Sequence, residues 1–216
     1  MPKVVSDAGP LIHLAQMNEL HLVKKLFNKV FVTPKAKREV FDEGVKLGHA
    51  DAQIVGKAIE EGWIDVEDIP KSVASASKRL AEGENVSQAD AGTLLLAKEK
   101  SAEILVDEKA LSDLAKMHGL KAWNTWTILL ESLRKGFIEI SDVESAITEL
   151  GKKRHKLKDR QATEIRRAAK FIVSERREIE RILPATLSSQ SFRRPRLRFQ
   201  RTGTRRRGTS NPLSHL

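Results

Sequence analysis

The chain has no cysteine among its 216 residues. Disulfides and thiolate-held zinc are therefore excluded. No apolar run approaches the roughly 18 residues that a membrane-spanning helix needs. No charged-then-apolar leader opens the sequence. A soluble, cytoplasmic protein with no membrane partner is expected. There is no internal repeat, and residues 184–216 contain neither Asp nor Glu.

What is present is unevenly spread. Residues 1–150 carry 19 basic and 24 acidic side chains, residues 151–183 carry 12 and 5, and residues 184–216 carry 8 Arg and no acid. An acidic body with a basic C-terminal third points to an anionic partner for that third, nucleic acid first. The basic residues also differ in kind. The body uses 16 Lys against 3 Arg, whereas the last 33 residues use Arg alone, which suggests a different origin for that segment.

Short apolar runs alternate with helical patterns. "KVVS" (3–6), "KVFVT" (29–33), "WIDVEDI" (63–69), "EILVD" (103–107) and "LKAW" (120–123) read as strands. Leu11, Leu14, Leu20, Val23 and Leu26 recur at near-helical spacing, and Pro34 suits a first helical position. Further helical segments stop at Gly48, Gly62, Gly119 and Gly136, as C-terminal capping favours. This alternation predicts an α/β fold with a parallel central sheet covered on both faces.

Residues 141–182 read as two helices. In the second, Ile165, Ala168, Ala169, Ile172, Ile179 and Ile182 trace an apolar stripe among charges, and Pro184 ends it. The Ser-, Gly- and Arg-rich remainder has no period and is expected to be disordered. The expected division is residues 1–140 as the α/β body, 141–183 as a basic helical extension, and 184–216 as the tail.

In open parallel sheets chemistry gathers at the carboxyl ends of the strands. Asp7 follows the first strand, on a turn made by Ala8, Gly9 and Pro10. Asp107 and Glu108 follow the fourth. Asp90 lies one turn into the helix opening at Ser87, and Glu39 on the helix after the second strand. If the first and fourth strands are neighbours, these carboxylates can share one cleft. With no Lys or Arg at those positions they repel unless a cation sits among them. Oxygen-only ligands suit Mg²⁺ or Mn²⁺. Each residue also has a plain alternative. Asp7 could cap the following helix, Ser87 and Asp90 resemble a capping box, Glu39 could be a solvated helix face, and Asp107 an ordinary turn residue.

The segments together resemble PIN-domain ribonucleases. "VVSDAGPLIHLAQ" is similar to that family's first motif, "KREVFDEG" to the second, "SQADAGTLLLAKE" to the third and "ILVDEKALSDLAKMHG" to the fourth. They place Asp7, Glu39, Asp90 and Asp107 respectively. "NTWTILLESLRKG" is similar to the segment after them, in which Thr125 would support the metal site. The likeness spans about residues 2–140. It implies a Rossmann-like three-layer α/β/α sandwich and a metal-dependent endoribonuclease. Asp7, Glu39, Asp90 and Asp107 would bind Mg²⁺ or Mn²⁺, and a metal-activated water would attack the RNA phosphodiester. Many members are toxins silenced by a small antitoxin, and others are stand-alone RNA-processing nucleases.

This chain departs from the pattern in two ways. Asp107-Glu108 stands where many members carry Asp-Asp, which leaves the role of Glu108 open, and the extension lengthens the compact toxin plan. Asp113 is placed on the helix, outside the site. The expected partners are RNA, an antitoxin protein and a second copy of the chain, with the basic extension holding RNA phosphates. His13, His21, His49 and His118 show no metal-ligand spacing. Trp123 and Trp126 could stack on a base or pack inside. The rival function is a non-catalytic PIN-like scaffold acting through the extension. A flavodoxin-like or receiver-type domain would want a phosphate loop or a phosphoacceptor with its Lys, and neither is found.

Overall fold

The computed structural model describes residues 1–152 and 157–182. Five strands form one sheet: β1 (Lys3–Ser6), β2 (Lys29–Val32), β3 (Ile64–Val66), β4 (Glu103–Leu105) and β5 (Ala122–Trp123). Their order is β3-β2-β1-β4-β5, and every pair is parallel. Each apolar run picked out in the sequence holds one of them. β1 and β4 are neighbours, with Val5 opposite Ile104.

Helices follow in chain order. They are α1 (Ala8–Gln16), α2 (His21–Leu26) and α3 (Pro34–Lys37). A π-helical stretch (Arg38–Glu43) then leads into α4 (Gly44–Lys46). After these come α5 (Ala50–Glu60), α6 (Lys71–Glu84), α7 (Gln88–Glu99), α8 (Lys109–Met117), α9 (Thr125–Arg134), α10 (Ile140–Lys152) and α11 (Asp159–Ile182). Gly48, Gly62, Gly119 and Gly136 all have φ between 72° and 76°, the left-handed region that glycine enters without strain.

Alternate strand residues point to opposite faces, and the core divides accordingly. Val4, Val30, Val32 and Leu105 join one apolar cluster with Leu11 and Leu14 of α1, Val55 of α5, and Ile128 and Leu129 of α9. Val5, Phe31 and Ile104 join a second cluster with Leu94 and Leu96 of α7 and Leu111 and Leu114 of α8. The sheet is thus the middle of three layers, the expected α/β/α sandwich. Helix α6 was not anticipated. It buries only Ser77, whose Oγ donates to Ala74 O, and Leu80 packs on the second cluster.

The helices after residue 140 do not stand apart from the body. Val143, Ala146, Ile165 and Ala169 lie in the same cluster as Leu129 and Leu133. Arg166 Nε donates to Glu144 Oε2 at 2.8 Å, and Arg176 Nη1 donates to Leu133 O at 3.1 Å. Residues 1–178 form one compact unit. The apolar stripe of α11 is buried at Ile165 and Ala169, while Ile179 and Ile182 are exposed. The tail expected to be disordered, 184–216, lies outside the described residues. Among the described residues no helix is long and apolar enough to cross a membrane.

Candidate active site

The strand order makes the site. The chain leaves β1 toward β2 on one side, and β4 lies on the other side of β1 and leads to β5. Ligands in open parallel sheets bind at such a switch point, beyond the strands' carboxyl ends. Asp7 extends this edge by one residue, its N–H donating to Leu105 O at 2.9 Å.

A cavity of about 240 Å³ opens there, lined by the carboxylates of Asp7, Glu39, Asp90 and Glu108, by Lys35, and by Thr33, Ser87 and Thr93. Each element delivers its residue for a local reason. Thr33 caps α3, its Oγ1 accepting from Ala36 N at 3.2 Å, and Pro34 supplies a preset first helical residue. Lys35 is the next residue. Glu39 rides on the π-helical stretch, a geometry that recurs at functional sites. That stretch sits tightly on α5. A Cβ on Gly56 would collide with the Phe41 ring, and one on Gly44 would lie 2.6 Å from the Ala52 Cβ. Ser87 caps α7, its Oγ accepting from Asp90 N at 3.1 Å, so Ser87 does the capping while the Asp90 side chain lines the cavity.

Asp7 stands at the N-cap position of α1, yet its side chain closes no capping hydrogen bond. Burial pushes its carboxyl up to about 6, and the negative charges of Asp90 and Glu39 push the same way. The N–H groups of Ala8 and Gly9 offset only part of that cost. Glu108 likewise precedes α8 without capping it, so its carboxylate is not spent on the helix.

Asp107 does not line this cavity. Its Oδ1 accepts from Thr125 N at 2.8 Å, and its Oδ2 from Thr125 Oγ1 at 2.7 Å. His13 Nδ1 lies 2.6 Å from the same Oδ2. Thr125 is buried, and both its N–H and its hydroxyl are bonded to Asp107. Asp113 lies on α8 and pairs with Lys109 and Lys116. Of the residues singled out in the sequence, the structure thus brings Asp7, Glu39 and Asp90 together. It places Asp107 and Thr125 beside them in a separate bonded group.

Sequence reasoning misses two residues, Lys35 and His13. It leaves the role of Glu108 open, because that residue's lack of a capping bond is visible only in three dimensions. Lys35 contradicts the expectation that no cation stands among the acids. Its signal was present, since a residue after a Thr-Pro helix start sits beside the strand end. His13 lies one and a half helical turns beyond Asp7, and only the fold reveals its partner. The donor chemistry suits a hard divalent cation, because every candidate ligand atom is a carboxylate or hydroxyl oxygen. Among the described residues, no three His, Asp or Glu side chains stand close enough together to hold a single ion.

The model of the DUF3368 family, a PIN domain, matches residues 3–170. The chain belongs to the PIN-domain family. No curated protein matches it. Among solved structures, this PIN domain is similar to PAE2754 from Pyrobaculum aerophilum. They share 17% identity at a TM-score of 0.45, over 60% of this chain and 94% of that one. It is also similar to a domain of a functionally unknown protein from Methanocaldococcus jannaschii DSM 2661, at 21% identity and a TM-score of 0.37, covering 57% and 91%. The match to the family model runs through α10 and into α11, past the residue 140 at which the body had been expected to end.

Proposed function

We propose that this PIN domain is a divalent-metal-dependent endoribonuclease acting at the cavity beyond β1 and β4. The observation that carries the reading is the lining of that cavity. Carboxylates from four separate elements converge on it, and burial and mutual repulsion make at least Asp7 costly to keep charged. In this reading Asp7, Glu39 and Asp90 draw together around Mg²⁺ or Mn²⁺ as it binds, since among the described residues no three acids yet stand close enough to share an ion, and Glu108 lies on the same wall. The metal, when bound, supplies an activated water and stabilises charge at phosphorus.

The protein's own groups do the rest. Lys35 neutralises part of the cavity's charge and binds a non-bridging phosphate oxygen. Thr125 and His13 hold Asp107 fixed beside the site. The cationic side chains of α11 bind flanking phosphates, since the cavity itself is acidic. An antitoxin protein and a second copy of the chain remain the proposed protein partners.

The test is incubation of total RNA with the full chain in Mn²⁺, in chelator, and with Asp7→Asn. Cleavage confined to wild type with metal supports the reading. Wild-type RNA binding without cleavage under any divalent metal selects the scaffold reading instead.

A further inference from the structure

A second cleft, of about 290 Å³, opens between the start of α9 and the start of α11. Trp126 and Leu130 line it from α9, and Leu157 and Ile165 from the other side, with Gln161 and Glu164 on its rim. Its volume is just below the roughly 300–1,000 Å³ of small-molecule sites, so it suits one planar group. We propose that this cleft is a nucleobase subsite, in which one unpaired base of the bound strand stacks on Trp126.

Three observations carry the proposal. The first is position. Trp126 and Asn124, another lining residue, bracket Thr125, and Thr125 is bonded to Asp107, the neighbour of Glu108 in the carboxylate cavity. The two clefts are thus joined through one bonded pair, Thr125 and Asp107, beyond the ends of neighbouring strands β5 and β4. The second is chemistry. An indole beside aliphatic side chains offers a stacking surface that accepts any base. Trp123, the other tryptophan of this segment, is spent on packing, its ring meeting Phe27 edge-on at 5.6 Å.

The third is the rim. Gln161 Oε1 accepts from Lys158 N at 3.2 Å, which fixes the side chain. The amide nitrogen has no partner among the described residues and can donate to a base edge. Lys158, just before α11, is exposed and supplies a cation for a neighbouring phosphate, while Arg160 in the first turn donates from Nε to Glu164 Oε1 at 3.0 Å. The subsite deepens the nuclease reading and rests on it for the identity of the strand.

The experiment measures binding of labelled twelve-nucleotide homopolymers, ribo- and deoxyribo-, to the full chain in chelator, where no metal-dependent cleavage occurs. An abasic strand of equal length serves as control. Wild type is expected to prefer either base-bearing strand over the abasic one. Trp126→Ala should weaken binding roughly 5- to 150-fold, the range for losing one base stack. Trp126→Phe should restore most of it. Trp126 also packs against the core, so Ala168→Phe, which fills the cleft from α11 without removing any core atom, provides a second route to the same loss. Unchanged binding in Trp126→Ala and Ala168→Phe overturns the proposal, as does equal wild-type affinity for the abasic strand. Metal-dependent cleavage is scored separately. Cleavage without base-dependent binding removes only the subsite, and base-dependent binding without cleavage removes only the nuclease.

Discussion

The ends of β1 and β4 lie side by side, each followed by an aspartate, and the two carboxylates have opposite surroundings. Asp7 is largely buried, closes no capping bond, and is pushed up to about 6. Asp107 meets two donors from Thr125 and the ring nitrogen of His13. A carboxylate at a strand end is therefore not one kind of residue. Where donors surround it, as at Asp107, its position is fixed. Where other acids and a cavity surround it, as at Asp7, its charged form is disfavoured.

The largest expected effect separates the two aspartates by activity. Asp7→Asn should reduce Mn²⁺-dependent RNA cleavage to background, whereas Asp107→Asn should lower it roughly 10- to 100-fold, as loss of a residue that orients the site does. Equal loss in both variants at saturating metal would erase the distinction.

The next effect is on stability, and its sign differs between the two. A carboxyl with a raised folded pKa leaves the fold untaxed below its unfolded value of about 3.9. Its cost grows as pH rises to about 6 and stays constant above that. Removing it with Asp7→Asn in chelator should therefore stabilise the protein at pH 7.5 by up to about 3 kcal/mol, and should change nothing near pH 3.5. Asp107→Ala should instead cost about 1–3 kcal/mol at neutral pH, because it leaves buried Thr125 donors unmet. Thermal unfolding across pH reads both, and destabilisation by both at pH 7.5 would refute the contrast.

Metal gives a similar but smaller difference. At a hundredfold excess over its dissociation constant, Mn²⁺ should stabilise wild type by about 2.7 kcal/mol and Asp7→Asn much less, with Asp107→Asn in between. A melting curve of Asp7→Asn that responds to Mn²⁺ as wild type does would move the ion elsewhere. The smallest effect concerns Lys35. Lys35→Ala should weaken RNA binding a few-fold and lower the slope of log affinity against log salt by about 1. An unchanged slope would mean that Lys35 serves only to balance the acids.

Much of this plan was legible in the sequence. The strands announced themselves as short apolar runs, and the left-handed glycines marked where helices stop. Asp7 and Asp90 could be placed because each is counted from an element boundary. Glu39 could be assigned to a helix but not to its π-helical turn, which depends on Phe41 packing over Gly56. Helix α6 escaped because Ser77 is its only buried residue and its apolar residues are few and small apart from Val73 and Leu80. The direction in which Asp107 turns was beyond reach, since its partner His13 lies 94 residues away in sequence. The extension read as separate because its charge differs from that of the body. Charge describes its outer face, while Ile165 and Ala169 on its inner face decide where it packs.

That inner face has a practical consequence for anyone preparing fragments of this protein. Ile128, Leu129 and Leu133 of α9 are fully buried in the apolar cluster that also holds Val143, Ala146, Ile165 and Ala169. A piece ending at residue 140, where charge alone would put the cut, would strip cover from that surface and present it to its neighbours in solution. Such a piece should come out of cells clumped. The shortest well-behaved product has to keep the chain through the buried residues of α11.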